Sequence, residues 1–146
     1  EDRDALTRQI RETGLSSCVR LLGFQQNPYR YMSAADVFVL SSLWEGFGNV
    51  IVEAMACGVP VVSTACPHGP EEILCHEESG LLVPVADARS LAAAVVRVLD
   101  DGQLRSRLSQ VGQQRAMEFS AEQVARSYEA TFLRVVGEHP EVRIAA

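Results

Sequence analysis

The chain has 146 residues, 47% of them apolar, and a mean hydropathy of +0.05, which describes a single domain over 1–146, long enough for a sizeable core and short for a two-lobed enzyme. Its formal net charge of −6 argues against a nucleic-acid partner, which needs a basic stripe. No apolar run reaches the ~18–20 residues of a membrane span and no signal peptide opens the chain, so the expected location is cytoplasmic, with peripheral attachment at the inner membrane surface as the variant of it.

Leu6 and Ile10 stand one helical turn apart and Gly14 follows, so Asp2–Thr13 reads as a short amphipathic helix. Cys18-Val19-Arg20-Leu21-Leu22 predicts a strand stopped by Gly23, with Phe24 beyond it. Asn27-Pro28 is a helix start, Asn as cap and Pro at the first position, giving one or two turns over Pro28–Ala35. The unbroken apolar run Val37–Leu40 predicts a strand buried on both faces and hence a parallel sheet. A helix over Asn49–Cys57 closes at Gly58, and Val59–Ser63 repeats the strand pattern. The loop Thr64–Gly69 leads through Pro70 into a short helix, Glu71–Leu74, and Gly80–Val83 is a strand ended by Pro84.

Asp87 caps a helix that keeps Leu91, Val95, Val98 and Leu99 on one face, Asp100-Asp101-Gly102 breaks it, and Gln103–Met117 forms the next. Ser120 with Gln123 reads as a capping box and Phe119 with Val124 as a hydrophobic staple. The last helix runs to about Gly137, with Val124, Tyr128, Phe132 and Val135 expected toward the sheet, and His139-Pro140 ends it. Strands alternating with helices at this spacing imply right-handed βαβ crossovers. The fold class is therefore α/β: a doubly wound parallel sheet with helices on both faces.

All 13 basic residues are arginine, and none lies between Arg30 and Arg89. The centre of the chain must hold any anion with backbone N–H groups and a helix terminus, or borrow cations from elsewhere. Cys18, Cys57, Cys66 and Cys75 lack the paired spacing of a metal site and read as reduced core cysteines. Cys66, His68, Cys75 and His76 can be written as a zinc set, but structural zinc takes ligands paired in turns.

The stretch Ser42–Gly58 is the centre of the reading. A strand runs into a turn holding Glu45, Gly46, Phe47 and Gly48, and a helix opens at Asn49-Val50. In a parallel sheet this order aims free amides and the positive end of a helix dipole at the carboxyl edge, where phosphates bind. Glu45 and Glu53, about one turn inside the helix, would repel a phosphate but accept hydrogen bonds from sugar hydroxyls. The plainer alternatives are a solvated turn residue for Glu45 and a dipole partner for Glu53.

Glu45-Gly46-Phe47-Gly48 followed by Glu53 fits the Glu-x7-Glu pattern of glycosyltransferase family 4. Ala34–Ser41, Glu53–Val62 and Ser79–Val83 resemble that family's C-terminal domain in the same order. The resemblance implies a partial Rossmann-like C-terminal domain of a GT-B glycosyltransferase, a retaining enzyme using a nucleotide-sugar donor. Glu45, as the catalytic-site residue, would bind hydroxyls of the donor sugar, and Glu53 the ribose hydroxyls. The amides of Phe47–Val50 would meet the diphosphate, Gly23-Phe24 would lie beside the base, and His68 would reach the sugar or phosphate. The wording Gly69-Pro70-Glu71-Glu72-Ile73 resembles a branch that often uses UDP-hexoses or UDP-N-acetylhexosamines. No metal or other cofactor is implied.

The family places an Arg and a Lys on the diphosphate from an earlier strand and loop, and its acceptor, whether glycan, lipid-linked or small molecule, on an N-terminal domain. This chain has no lysine and is expected to lack both those first strands and that domain. Two rivals remain open at this point. One is a nucleotide-sugar-binding module without turnover. The other is a glycosidase using Glu45 and Glu53, whose carboxylates would stand about 5–9.5 Å apart.

Overall fold

The computed structural model describes residues 2–138. Helix α1 spans Asp2–Glu12 and α2 Tyr29–Met32; strand β1 is Phe38–Leu40, helix α3 Asn49–Ala56, strand β2 Val61–Thr64, helix α4 Pro70–Ile73 and strand β3 Leu81–Val83. Three helices close the chain: α5 Ala88–Asp100, α6 Gly102–Met117 and α7 Ala121–Glu138. The strands form one parallel sheet in the order β1-β2-β3, with Phe38 opposite Val61 and Val62 opposite Leu81.

Successive side chains of a strand point to opposite faces, and β2 shows the consequence. Val61 packs with Met32, Ile51, Ala54, Met55, Ile73 and Leu74 on one side. Val62 packs with Leu81, Val83, Ala94, Val98, Leu104 and Leu108 on the other. Helices α3 and α4 thus cover one face and α5 the other, while α6 serves both, placing Leu104 and Leu108 in the second cluster and Ala116 in the first. The expected doubly wound α/β arrangement is the one the chain adopts.

Local chemistry sets the boundaries. Asp87 accepts from the Ser90 amide at 3.0 Å and starts α5, and Asp101 accepts from Gln103 and Leu104 to start α6, each satisfying amides that have no partner inside the helix. Half of the expected capping box forms at α7, where the Gln123 amide donates to Ser120 Oγ at 3.3 Å.

Five expectations are corrected. Residues 18–22 form no strand, since a strand exists only through its ladder and this segment pairs with no neighbour among the described residues; the Cys18 and Val19 amides turn back onto the Leu15 carbonyl, and Arg3 holds the Leu21 carbonyl. Asn27 caps nothing: Pro28 takes the cap position of α2 without a side-chain hydrogen bond. Strand β1 is not buried on both faces, because it is an edge strand among the described residues and its Val39 is 39% exposed. Helix α7 does not turn an apolar face to the sheet: Val124, Tyr128, Phe132 and Val135 are all exposed, Tyr128 at 62%. Of the four cysteines only Cys66 is buried, while Cys18 and Cys75 are exposed. The His139-Pro140 stop lies outside the described residues.

Candidate functional site

Strand β1 delivers the chain to the carboxyl edge of the sheet at Ser41, and there a polar lattice fixes the path. Thr64, the last residue of β2, donates its hydroxyl to the Ser42 carbonyl at 2.6 Å. Ser42 in turn donates its own hydroxyl to Glu45 Oε1 at 2.6 Å. The Glu45 amide donates to the Pro67 carbonyl at 3.4 Å. Glu45 is half-buried, with one carboxylate oxygen engaged and the other without a protein donor among the described residues.

The turn then enters α3 through Gly48, which caps the helix in the left-handed conformation, φ 88° and ψ 44°. A serine or aspartate there would place an oxygen on the first amides; glycine has none to offer. Among the described residues no protein acceptor engages the amides of Phe47, Gly48, Asn49 and Val50, and the first bond of the helix runs from Ile51 to the Gly48 carbonyl at 2.8 Å. Four unpartnered N–H groups therefore gather at the positive end of a two-turn helix, beginning two residues after Glu45 in the chain. Ile51, Ala54 and Met55 turn to the core, and helical periodicity leaves Glu53 half-buried on the flank shared with Asn49, one turn from the opening.

The second wall is the loop after β2. Gly69, at φ 105°, approaches Phe47 so closely that a Cβ there would lie 1.9 Å from the Phe47 carbonyl oxygen. This contact seats residues 67–69 against the glycine turn and carries His68 to the same edge, exposed and at φ 62°. Helix α4 begins immediately after, with Pro70 buried. Its Ile73 side chain lies under Gly48, since a Cβ on that glycine would stand 3.8 Å from Ile73 Cδ1.

The structure thus brings together Glu45, Gly46, Phe47, Gly48, Asn49, Val50 and His68, with Glu53 on the helix they open. Gly23 and Phe24 stand elsewhere. They line a largely apolar cavity of about 560 Å³ with Pro28, Tyr31, Met32, Ala35 and Phe38, and no residue of the glycine turn takes part in it. Phe24 is 91% exposed. Among the described residues no three His, Cys, Asp or Glu side chains gather as a metal ion would require.

Three residues escaped the sequence reading. Ser42 and Thr64 orient Glu45, and their one signal was a serine three residues ahead of the acid. Arg115 gave no local signal, because the α4 carbonyls it reaches lie 42 and 43 residues back in the chain.

The glycine turn, the helix it opens and the loop behind it all fall within residues 1–115, the span matched by the model of the glycosyl transferases group 1 family. The chain belongs to that family. Its fold is that of a domain of the GT-B glycosyltransferases. Among its relatives is the lipopolysaccharide core biosynthesis glycosyltransferase LpsE of Rhizobium meliloti, 39% identical over 88% of this chain and 38% of that protein. Sucrose-phosphate synthase from Thermosynechococcus elongatus superposes with a TM-score of 0.83 and 34% identity, covering 94% of this chain and 35% of that one. HepE of Anabaena, solved in complex with UDP, gives 0.79 and 30% over 87% of this chain and 36% of its own. The group 1 domain described here therefore spans little more than a third of the length of these relatives.

Proposed function

We propose that this group 1 domain is the donor-binding half of a retaining, family 4-like glycosyltransferase that moves a sugar from a nucleotide sugar, UDP-linked in preference to GDP-linked, to an acceptor hydroxyl in polysaccharide or glycan assembly. The observation that carries the reading is the set of four unpartnered amides at the opening of α3, in the same turn as Glu45, whose carboxylate Ser42 holds. A diphosphate satisfies the amides and a sugar hydroxyl satisfies the acid, and a nucleotide sugar offers both on one molecule. HepE, the relative solved with UDP and with UDP-glucose, supports the choice of base.

In this reading transfer breaks the bond between the anomeric carbon and the diphosphate oxygen and forms one to the acceptor oxygen, whose hydroxyl proton passes to the released diphosphate, with configuration kept. Negative charge grows on the leaving diphosphate, where the amides of Phe47–Val50 donate; one preorganised donor of this kind contributes roughly 2.7–4 kcal/mol. Glu45 holds donor-sugar hydroxyls from an orientation set by Ser42. Glu53 binds the ribose hydroxyls, Gly23 and Phe24 meet the base from the separate cavity they line, and His68 borders the sugar or phosphate. Residues 31–88 contain neither Lys nor Arg, so the cations expected on the diphosphate come from outside the site's own segment, and the acceptor occupies a lobe outside residues 1–146. The chain by itself binds donor without turnover.

Calorimetric titration with UDP, UDP-glucose, GDP and GDP-mannose tests this. UDP and its sugar should bind more tightly than the GDP pair, and Glu53→Ala should weaken UDP by about tenfold, the loss of hydrogen bonds to an ionised acceptor. Nucleotide affinity unmoved by Glu53→Ala would remove Glu53 from the donor site.

A further inference from the structure

We propose that Arg115 and Phe119 are positioning residues of the donor site, a brace that holds the glycine turn and the 67–69 loop in register from behind; the functional part of this assignment rests on the donor-site reading above. Both come from the end of α6 and the turn after it, in a part of the chain that never enters the site.

Arg115 reaches across to α4. Its Nε donates to the Ile73 carbonyl at 3.1 Å and its Nη2 to the Glu72 carbonyl at 2.8 Å, so one guanidinium occupies two of the carbonyls that a helix C-terminus leaves unpaired. Its Nη1 pairs with Glu118, which holds the fork in one orientation, and its plane lies over the Phe119 ring, 4.9 Å from the centroid. Phe119 completes the circuit by meeting Phe47 edge to face, with centroids 5.7 Å apart and planes at 63°.

The circuit closes on the amides. Helix α4 is a wedge of one turn, with Gly69 at its head pressed on the Phe47 carbonyl, Ile73 beneath Gly48, and Arg115 gripping its tail. Four residues cannot hold a helix by their own hydrogen bonds, so the wedge keeps its place through what grips it. Phe47 is consequently fixed twice, through its backbone by Gly69 and through its ring by Phe119. Both constraints trace to Arg115.

The test uses Arg115→Met, which keeps the aliphatic stem and removes the fork, Phe119→Leu, which removes the ring edge, and Val98→Ala, which weakens the opposite core cluster. Two measurements are made on each: hydrogen exchange of the bonded amides of Ile51, Glu72, Ile73 and Leu74 with those of β3 as reference, and UDP affinity by calorimetry. Arg115→Met should speed exchange at those four amides relative to β3 and weaken UDP, each by about tenfold, the weight of one charge-assisted hydrogen bond, and Phe119→Leu should do both by about two- to tenfold, the weight of an aromatic pair. Val98→Ala, which loosens β3 itself because Val98 packs on Leu81 and Val83, should leave exchange at the four amides and the affinity as in wild type. Exchange ratios unchanged in Arg115→Met overturn the assignment, and so does an equal loss of UDP affinity in Val98→Ala, which reduces the brace to general stability. A wild-type chain that fails to bind UDP refutes the donor-site reading, while the exchange measurement still decides the brace.

Discussion

Gly69→Ala places one methyl group where the site has no room for it. The new Cβ would stand 1.9 Å from the Phe47 carbonyl oxygen and 2.4 Å from its carbonyl carbon, and ordinary contact begins at 3.4 Å, so loop and turn must part by about 1.5 Å. The neighbouring atoms are backbone, which cannot swing aside as a long side chain does. An alanine at φ 105° also sits in a sparsely populated region, at roughly 1–3 kcal/mol, and forced repacking adds roughly 1–3 kcal/mol. For a domain of this size that lowers Tm by about 6–18 °C.

The same displacement loosens the Glu45 amide from Pro67 and shifts the four free amides, and a misplacement near 1 Å can cost about a hundredfold. UDP binding should therefore weaken by about 10–100-fold, read by calorimetry at a temperature where circular dichroism shows the variant folded. Gly102→Ala is the control: nothing lies within 4 Å of its Cβ, and in the first turn of α6 alanine is neutral or stabilising by up to about 1 kcal/mol. If Gly69→Ala melts and binds UDP like wild type, the seating of loop on turn does not order the site.

Ser42→Ala removes the hydroxyl that orients Glu45; if Glu45 holds the donor sugar as proposed, calorimetry should show UDP-glucose weakened by about three- to tenfold while UDP itself is unchanged. The Asp87 carboxyl is held below its ordinary value of 3.8 by hydrogen bonds from the Ser90 hydroxyl and then the Ser90 amide. A lowered folded-state pKa stabilises the native state above the unfolded value and loses that contribution as pH falls through the folded one. The Tm gap between wild type and Asp87→Ala should thus be full at neutral pH and shrink below pH 3.8, and a gap constant down to acid pH would show that the cap works without its charge.

Much of the scaffold was legible residue by residue. Asp87 and Asp101 are strong caps and sit where α5 and α6 begin. The run around Val61 and Val62, buried on both faces, read as an interior parallel strand because both neighbours of that strand exist. The same pattern misled at β1, where Val39 is exposed, and at residues 18–22, where no ladder partner pairs with an equally apolar segment. In α7 the apolar spacing announced a face, but spacing does not name the surface that covers it.

What the sequence by itself determined was the strand-turn-helix at Glu45–Glu53, because glycines, a helix opening and the acid spacing are all local within a dozen residues. Only the tertiary structure decided what frames it. Gly69 against Phe47, Thr64 on Ser42, and Arg115 on the α4 carbonyls join residues 22 to 43 positions apart. Local periodicity carries no record of such pairings, because they arise only when β2, α4 and α6 are packed around the same sheet edge.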